Sequence, residues 1–237
     1  MTNVDSPRQN HLLGALPIDD YERIFPHLER VLMSLGKVLY EPGDPLHYAY
    51  FPTSCIVSKF YVMKNGASTE IAVIGNEGTI GIALFMGDGS MPNRAVVRST
   101  GYAYRLRGQL FMQEFNYHGT LLHLLLRYTQ ALLTQMAQSA ACNRHHSVDQ
   151  QLCRWLLLSL DRLNSNELSV THELIASMLG VSRESVTAAA KNLQRAELID
   201  YHHGHISVLN RPGLEERVCE CYQVVKKEAE RLGIYEH

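Results

Sequence analysis

The sequence predicts an α+β chain in which an antiparallel β-roll, one long helix and a mainly helical C-terminal domain follow one another. Three observations predict this order. Turn residues recur at roughly ten-residue intervals from residue 37 to residue 107, which is typical of short antiparallel strands. Leucines recur at helical spacing from residue 110 to residue 143, and two short amphipathic segments surround a glycine in residues 169–193. The predicted units are residues 12–109 for the roll, 110–146 for the long helix and 147–237 for the C-terminal domain.

Composition indicates a globular chain, since 46% of the residues are hydrophobic and 19% are charged. The net charge of −2 gives no overall basic surface, so any contact with nucleic acid must rely on a local patch. The five cysteines form no C-x-x-C pair and are expected to be reduced thiols of a cytoplasmic protein. Polar side chains interrupt the apolar run 121–142, so we expect no membrane span.

The roll region begins with a predicted helical segment and continues as strands. The helix is expected over residues 19–35, broken at Pro26, with Ile24, Leu28, Val31 and Leu32 facing inward. Strands are expected at residues 48–51, 56–63, 69–74 and 95–105, separated by glycine-containing turns. A roll of this size commonly encloses one pocket.

The long helix is apolar on two adjacent faces. One face carries Leu121, Leu125, Tyr128 and Leu132 and is expected to pack on the roll. The other face is expected to pair with a second copy of the chain in a two-fold dimer; it carries Leu122, Leu126, Leu133, Met136 and Ala140. The alternative is a helix buried wholly in its own domain, because the apolar pattern fades at Gln135 and Ser139.

Residues 169–193 predict a helix-turn-helix. Thr171 suits the first helix N-terminus, Gly180 suits a left-handed turn, and Ser182 suits the start of the second helix. The second helix is expected to bury Val186, Ala189, Ala190 and Leu193. Two short strands at residues 198–201 and 205–208 then predict a wing.

The opposite face of the second helix has the chemistry to contact DNA, because it carries Arg183, Glu184, Thr187, Ala188 and Lys191. Arginine can donate to guanine, glutamate can accept from cytosine, and hydroxyl and ammonium groups can bind phosphates. The alternative is an ordinary helical hairpin with a solvated face. The remaining predictions for this domain are a helix at residues 148–163, a polar turn at 164–166, and a terminal helix at 211–232 packed on the back of the DNA-binding unit.

This arrangement, with Ser182-Arg183-Glu184-Ser185-Val186 opening the second helix, resembles the Crp/Fnr family of bacterial transcription regulators. The resemblance implies a homodimer on a pseudo-palindromic DNA site with TGTGA-like half-sites, and RNA polymerase as a further partner. It also implies a recognition helix at residues 182–195, in which Arg183 and Glu184 contact bases and Ser182, Ser185 and Lys191 contact the DNA backbone. The family's second arginine falls on Ala188, which leaves the half-site preference open.

The resemblance extends less well to an effector site in a cyclic-nucleotide-binding-like roll. The segment from Gly78 to Phe85 lacks the glutamate that holds the ribose in cyclic-nucleotide members, and an arginine stands where the serine of their phosphate-binding segment should be. Met136 and Ala137 replace the hydroxyl pair that meets the base. These departures argue against cyclic AMP. The candidate positions for another anionic effector are Gly78, Gly81, Arg94 and Ala95. The alternative is that Arg94 is a surface loop residue, and Glu77 is expected to point outward.

Other cofactors can be assessed by residue type. The iron-sulfur members of the family carry an N-terminal cysteine cluster, whereas the first cysteine here is Cys55, so we expect no such cluster. Haem bound through His47, His118 or His123 stays open, although a lone histidine beside an apolar helix is more often structural. His202, His203 and His205 have side chains that could bind a metal, but no metal site is predicted, because the hairpin turn is expected to place them near phosphates. Cys219 and Cys221, two apart on a predicted helix, should face different ways.

No enzyme motif is found, so we predict no catalytic activity. The preferred hypothesis is a sequence-specific DNA-binding regulator, with or without an effector in the roll. The alternative is a ligand-binding signalling module that acts through protein partners. Only the first hypothesis requires DNA binding that weakens steeply as salt rises.

Overall fold

Short strands separated by turns make up most of the first half of the chain, as predicted. The computed structural model describes residues 6–163, 165–202 and 204–234. The strands pair antiparallel in two sheets, ordered β1-β7-β3 and β2-β6-β4-β5, around one apolar core. Their bounds are β1 (Glu29–Met33), β2 (Val38–Tyr40), β3 (Tyr48–Pro52), β4 (Ile56–Val62), β5 (Ser68–Ile74), β6 (Arg94–Ser99) and β7 (Gly101–Arg107).

Short helices close the ends of this roll. They are α1 (His11–Gly14), α2 (Ile18–Ile24), α3 (Ala83–Met86) and α4 (Gly108–Asn116). On α4, the buried Phe111 ring meets Phe51 of β3 edge-on at 6.0 Å and Phe85 of α3 at 5.9 Å. Such edge-to-face contacts between aromatic rings add to the free energy of burial. The predicted roll is therefore confirmed.

Two secondary-structure predictions inside the roll are wrong. The helix predicted for residues 19–35 ends at Ile24, because Pro26 opens a 3₁₀ turn and the chain then forms β1. Pairing with β7 decides the structure of that segment and leaves Leu32 exposed. The single strand predicted for residues 95–105 is two strands, β6 and β7. They separate before Gly101, where the backbone passes so close to Ser54 that a side chain would not fit.

The predicted long helix is interrupted near its start. Helix α4 ends at Asn116, and α5 (Thr120–His145) begins after His118 adopts the left-handed conformation, with φ 59°. Helix α5 buries its predicted inner face against the roll, and Leu121, Leu125, Tyr128 and Leu132 all lie in the roll core.

Two polar residues of α5, Gln135 and Ser139, also face inward. Gln135 Oε1 accepts a hydrogen bond from the Val73 N–H at 2.7 Å, and Gln135 Nε2 donates to the Val73 carbonyl at 3.2 Å. Val73 belongs to β5, which is the last strand of its sheet. The side chain therefore satisfies backbone groups that an edge strand would otherwise leave unpaired. The apolar pattern fades at Gln135 because the helix contacts a strand backbone there.

A second apolar core lies in the C-terminal domain, between its helices and a three-stranded sheet ordered β8-β10-β9, and Phe60 of β4 and Val96 of β6 also pack into it. The wing strands are found close to their predicted positions, whereas β8 was not predicted. The polar turn at 164–166 includes residue 164, and the wing turn includes residue 203; both residues lie outside the described ranges. The elements are α6 (Val148–Leu160), β8 (Glu167–Ser169), α7 (His172–Leu179), α8 (Arg183–Arg195), β9 (Ile199–His202) and β10 (His205–Val208).

The terminal helix predicted for residues 211–232 is two helices, α9 (Arg211–Arg217) and α10 (Cys221–Arg231). Helix α10 packs largely along α5 rather than only on the back of the DNA-binding unit. Gln130 of α5 donates to Glu228 of α10 at 3.0 Å, and Ala229 lies in the core of the roll. Helix α10 therefore contributes residues to both apolar cores.

Candidate nucleic-acid interface

The helix-turn-helix forms through the local contacts that the sequence predicts. Thr171 Oγ1 accepts from the Leu174 N–H at 3.2 Å and caps α7. Gly180 ends α7 with φ 67°, a conformation that residues with a side chain rarely adopt. Ser182 Oγ accepts from the Ser185 N–H at 3.2 Å and caps α8. Each cap satisfies an N–H that the helix cannot satisfy itself.

Packing of α8 on the rest of the domain separates its two faces. Val186, Ala189, Ala190 and Leu193 are buried as predicted. Their burial leaves the polar face outward, where it forms a shallow groove of about 350 Å³ lined by Arg183, Glu184, Thr187, Ala188 and Lys191.

The two cations of this groove are available for binding. Arg183 and Lys191 are exposed, and neither side chain makes an ion pair or hydrogen bond with any residue that the structure describes. Arg183 and Lys191 are about two helical turns apart, and both line the groove that also contains Glu184. An exposed arginine near the start of a helix can contact a base edge, and a lysine further along the same helix can contact a phosphate.

Glu184 is held in its ionised form. Hydrogen bonds from its own backbone N–H and from the Ser182 hydroxyl lower the pKa of the Glu184 carboxyl, and the charge of Arg183 acts in the same direction. Since the free carboxyl already ionises well below pH 7, the side chain is an acceptor at neutral pH. It can therefore accept from cytosine N4 but cannot donate.

The Thr187 hydroxyl, predicted to be available for DNA, already has hydrogen-bond partners within the domain. Its hydroxyl donates to the Arg183 carbonyl at 2.9 Å and lies 3.0 Å from His172 Nδ1. The His172 ring stacks on Tyr201 of the wing, with centroids 4.1 Å apart. Burial, followed by the charge of Arg183, lowers the pKa of His172, so the ring is neutral at pH 7. Because the Thr187 hydroxyl is already a donor, the neutral ring donates to it through Nδ1.

His172 was not singled out from the sequence. It joins three elements: its own helix α7, Thr187 of α8 and Tyr201 of β9. Only tertiary packing brings Tyr201 onto the ring, so no spacing signal in the sequence could have identified it. The contact fixes the wing relative to the recognition helix.

The described histidines of the wing make local contacts. His202 Nε2 lies 3.0 Å from Asp200 Oδ1, and His205 Nδ1 lies 3.1 Å from Ser169 Oγ. Both side chains are exposed. Their approach to DNA phosphates stays a prediction, and residue 203 lies outside the described ranges.

The roll touches the helix-turn-helix directly, which the sequence did not predict. Ser68 Oγ of β5 lies 2.6 Å from Ser177 Oγ of α7. At the helix turn, a side chain added at Gly180 would come within 2.8 Å of Thr69 Oγ1. One end of β5 therefore contacts both α7 and the turn that precedes the recognition helix.

A buried ion pair forms a second connection between the roll and the C-terminal domain. Arg162 Nε lies 2.7 Å from Glu77 Oε1, and the two side chains are 1% and 5% exposed. Glu77 also accepts from the Gly75 N–H at 2.9 Å. The expectation that Glu77 points outward is therefore wrong. Its turn folds toward the end of α6, and Arg162 makes burial of the carboxylate tolerable.

The four predicted effector residues occupy different surroundings. Gly78 lies against the Tyr128 ring, whose hydroxyl donates to the Thr79 carbonyl at 3.0 Å, and the Gly78 N–H donates to the Gly75 carbonyl. Gly81 is near β3 with φ 122°. Arg94 is on β6 and pairs with Glu41 at 2.8 Å.

Ala95 is fully buried on β6, between Tyr40 of β2 and Lys59 of β4. Residues that pair across adjacent strands point to the same face of the sheet. Lys59 is 1% exposed, and its burial lowers the pKa of the ammonium group to about 8. This lysine was not identified from the sequence because it lies in a run that is otherwise typical of a strand core.

The three histidines considered for haem are all exposed. His47 precedes β3, His118 is in the α4–α5 connection and His123 is on the outer side of α5. The structure therefore brings none of them into a buried pocket, and haem stays an untested alternative.

The prediction that Cys219 and Cys221 face different ways is wrong. Cys219 lies in the connection between α9 and α10 rather than within a helix, and Cys221 begins α10. Both side chains turn toward Cys142 and form a small buried cluster with it. The assumption of one continuous helix caused the error.

Two family models match the chain. Residues 31–118 match the cyclic nucleotide-binding domain, and residues 150–217 match the Crp-like helix-turn-helix domain. Together they cover the roll and the DNA-binding unit described above. The chain belongs to the Crp/Fnr family.

The relatives of this Crp/Fnr protein are distant in sequence. The global nitrogen regulator of Synechococcus elongatus is 22% identical over 217 residues, covering 86% of this chain and 91% of that protein. A Crp/Fnr-family regulator from Eubacterium rectale has a TM-score of 0.67 at 15% identity, with 86% and 96% coverage. FixK2 from Bradyrhizobium japonicum has a TM-score of 0.67 at 14% identity, with 81% and 98% coverage.

A fourth relative is CLP of Xanthomonas campestris, described as a global regulator responsive to c-di-GMP. It has a TM-score of 0.64 at 18% identity, with 81% of this chain and 99% of that chain covered.

Within the described residues, no helix combines the length and hydropathy needed to cross a membrane.

Proposed function

We propose that this protein is a homodimeric, sequence-specific DNA-binding transcription regulator of the cytoplasm, without catalytic activity. The observation that carries the proposal is the outward polar face of α8. Arg183 can donate two hydrogen bonds to guanine, and ionised Glu184 can accept one from cytosine. Ser182, Ser185, Thr187 and Lys191 stand where they can contact the backbone, although the hydroxyls of Ser182 and Thr187 also stabilise the helix itself.

The outer face of α5 supports the homodimer. Leu126 and Leu133 are 51% and 59% exposed, although leucines at these positions would be buried in a coiled-coil seam. The inner face of the same helix already packs on the roll. A second α5 related by two-fold symmetry would cover the outer leucines, with Leu122, Met136 and Ala140 beside them. Two recognition helices can then enter successive major grooves of a pseudo-palindrome, about 34 Å apart.

Replacing Leu126 and Leu133 together by glutamate is expected to produce a monomer of 26.8 kDa, whereas the unchanged chain should show twice that mass. Four carboxylates would face one another across the seam of a dimer, and desolvating them is costly. Light scattering coupled to gel filtration measures the result. Leu209→Glu is the matched control, since Leu209 is an exposed leucine in the DNA-binding domain. A dimer that persists in the double variant would contradict the assignment of this face.

Contacts between the roll and the C-terminal domain support control by an effector. The β5 end at Ser68 and Thr69 touches α7 and the helix turn, and Glu77 binds Arg162. An anion bound in the roll near Lys59 and Ala95, at Arg94 on the other face of β6, or beside Gly78 and Gly81, would change the relative stability of two dimer arrangements. In this proposal the DNA-bound dimer acts on RNA polymerase. The sequence departures weigh against cyclic AMP, and neither haem nor an iron-sulfur cluster forms part of the proposal.

The test is fluorescence anisotropy on a labelled duplex with two TGTGA-like half-sites, against a scrambled duplex, with and without cyclic AMP, cyclic GMP and c-di-GMP. We expect selective binding whose logarithmic affinity falls linearly with the logarithm of salt concentration, with a slope of about −0.9 per phosphate contact. Equal, weak binding to both duplexes at every salt concentration would support the alternative, a signalling module acting through protein partners.

A further inference from the structure

Three cysteines and one histidine converge where the long helix meets the C-terminal domain. One ligand atom from each of Cys142, His146, Cys219 and Cys221 lies within 4.8 Å of all the others. Cys142 Sγ is 3.6 Å from Cys219 Sγ, and Cys221 Sγ is 3.5 Å from His146 Nδ1. The three cysteines are at most 3% exposed. We propose that these four side chains bind one Zn²⁺ ion as a closed Cys₃His site.

The separations fit a tetrahedral ion. Zn–S bonds of about 2.3 Å and a Zn–N bond of about 2.0 Å place neighbouring ligand atoms about 3.5–3.8 Å apart. The two measured separations, 3.6 and 3.5 Å, already match. The other pairs lie within 4.8 Å, so small inward rotations of the side chains would complete the tetrahedron. Four protein ligands with no open position are typical of structural rather than catalytic zinc.

The local structure explains why the ligands meet. Cys142 and His146 are one helical turn apart at the end of α5, so their side chains share a face. The His146 N–H donates to the Cys142 carbonyl at 3.0 Å and keeps the last turn closed. Opposite them, the chain leaves α9 and enters α10, and this break turns Cys219 and Cys221 inward.

His146 has a carboxylate partner of the kind that usually accompanies a zinc-bound histidine. His146 Nε2 lies 3.3 Å from Glu220 Oε2, while Nδ1 faces the sulfur atoms. Donation from Nε2–H to the carboxylate leaves the Nδ1 lone pair free for a metal. Carboxylate–histidine–zinc arrangements of this kind fix the ring orientation and strengthen the ligand.

The charge of the proposed site is also accommodated. Zinc binds thiolates, so the three thiols release their protons to solvent, and the ion with its ligands carries a net charge of −1. The buried guanidinium of Arg154 on α6 donates to Ser139 Oγ at 3.1 Å and lies near enough to Cys142 and Cys221 to interact with them electrostatically. A buried cation beside a thiolate-rich metal site offsets part of the cost of burying it.

The position gives the metal a structural role. His146 immediately precedes Ser147, which caps α6 through the Gln150 N–H. The ion would therefore tie the α5–α6 junction to the α9–α10 connection, which are distant in sequence. Loss of the metal would loosen the orientation of the DNA-binding unit relative to α5.

Metal analysis of the reduced full-length protein tests the proposal. We expect about one zinc per chain, Zn²⁺ binding with a Kd of nanomolar or tighter, and a tetrahedral thiolate spectrum when Co²⁺ replaces zinc. Cys142→Ser and Cys221→Ser should lose the metal. Cys55→Ser is the matched control because Cys55 is buried in the roll, away from the cluster.

Three results would overturn the proposal: Zn²⁺ binding weaker than about micromolar, a Cys142–Cys219 disulfide that persists with added zinc and reductant, or stoichiometric iron and sulfide. If the serine variants fail to fold, the Co²⁺ spectrum of the unchanged chain still tests the proposal, because it reports thiolate ligation without any substitution.

A second variant tests the orientation of the histidine. Glu220→Gln removes the carboxylate charge but no ligand, and the Glu220 side chain is 75% exposed, so the fold should be unaffected. We expect Zn²⁺ affinity to fall about 10- to 100-fold in competition with a chelator. Glu216→Gln, an exposed glutamate on α9, is the control and should bind zinc as the unchanged chain does. Equal affinities in the two variants would overturn ligation through Nδ1.

Discussion

Arg183→Ala is expected to remove sequence-selective DNA binding while leaving the dimer intact. A good bidentate contact between arginine and guanine contributes about 1–3 kcal/mol of discrimination, and a two-fold dimer would lose two of them. A loss of about 2–6 kcal/mol corresponds to a Kd increase on the order of 30-fold to 10⁴-fold. Because Arg183 is exposed and its side chain makes no ion pair or hydrogen bond with the described residues, the fold should not change. Anisotropy on the specific and scrambled duplexes measures the result.

Lys191→Ala separates base contact from phosphate contact. It removes an exposed cation from the same groove, so affinity should fall similarly on both duplexes. The salt slope should become shallower by about one for each phosphate that the lysine no longer neutralises. Gel filtration and thermal unfolding should show both variants as folded dimers. Unchanged operator affinity in Arg183→Ala would refute the recognition helix assigned here.

Glu77→Gln is expected to lower the free energy of unfolding by about 3–5 kcal/mol, because it removes the carboxylate charge that pairs with the buried Arg162 guanidinium. The loss should be measured by urea denaturation at pH 7. Replacing both partners, as Glu77→Leu with Arg162→Met, should cost less, since the double variant removes both charges of the pair together.

The matched control uses a surface pair of the same length. Arg105 and Glu29 are 2.7 Å apart, but their side chains are 32% and 45% exposed. Glu29→Gln should therefore change stability by about 1 kcal/mol or less. Equal losses in the Glu77 and Glu29 variants would show that burial does not determine the contribution of the Glu77–Arg162 pair.

The sequence predicts best what neighbouring residues determine. Thr171, Gly180 and Ser182 act through contacts within a few residues of themselves, so the helix-turn-helix and its outward face were predicted with nearly correct boundaries. The turns of the roll likewise depend on residues that are close together in the chain. Where tertiary pairing competes with helical periodicity, as in β1, the sequence prediction fails.

What was missed depends on residues far apart in the chain. Cys142 and Cys219 are 77 residues apart, Glu77 and Arg162 are 85 apart, and Ser68 and Ser177 are 109 apart. No periodicity within one element reports such contacts. The error at Cys221 came from treating α9 and α10 as one helix, which places the thiols on different faces.

Strand β5 has two attachments along its short length. Near its end, the Val73 backbone is held by Gln135 of α5, and at its start Ser68 and Thr69 meet α7 and the turn before the recognition helix. One strand of seven residues thus sets the position of both the helix at the proposed subunit seam and the unit that faces DNA. The spacing of the two recognition helices and the tilt of each one are therefore not independent variables in a dimer of this protein: a displacement of β5 changes both at once.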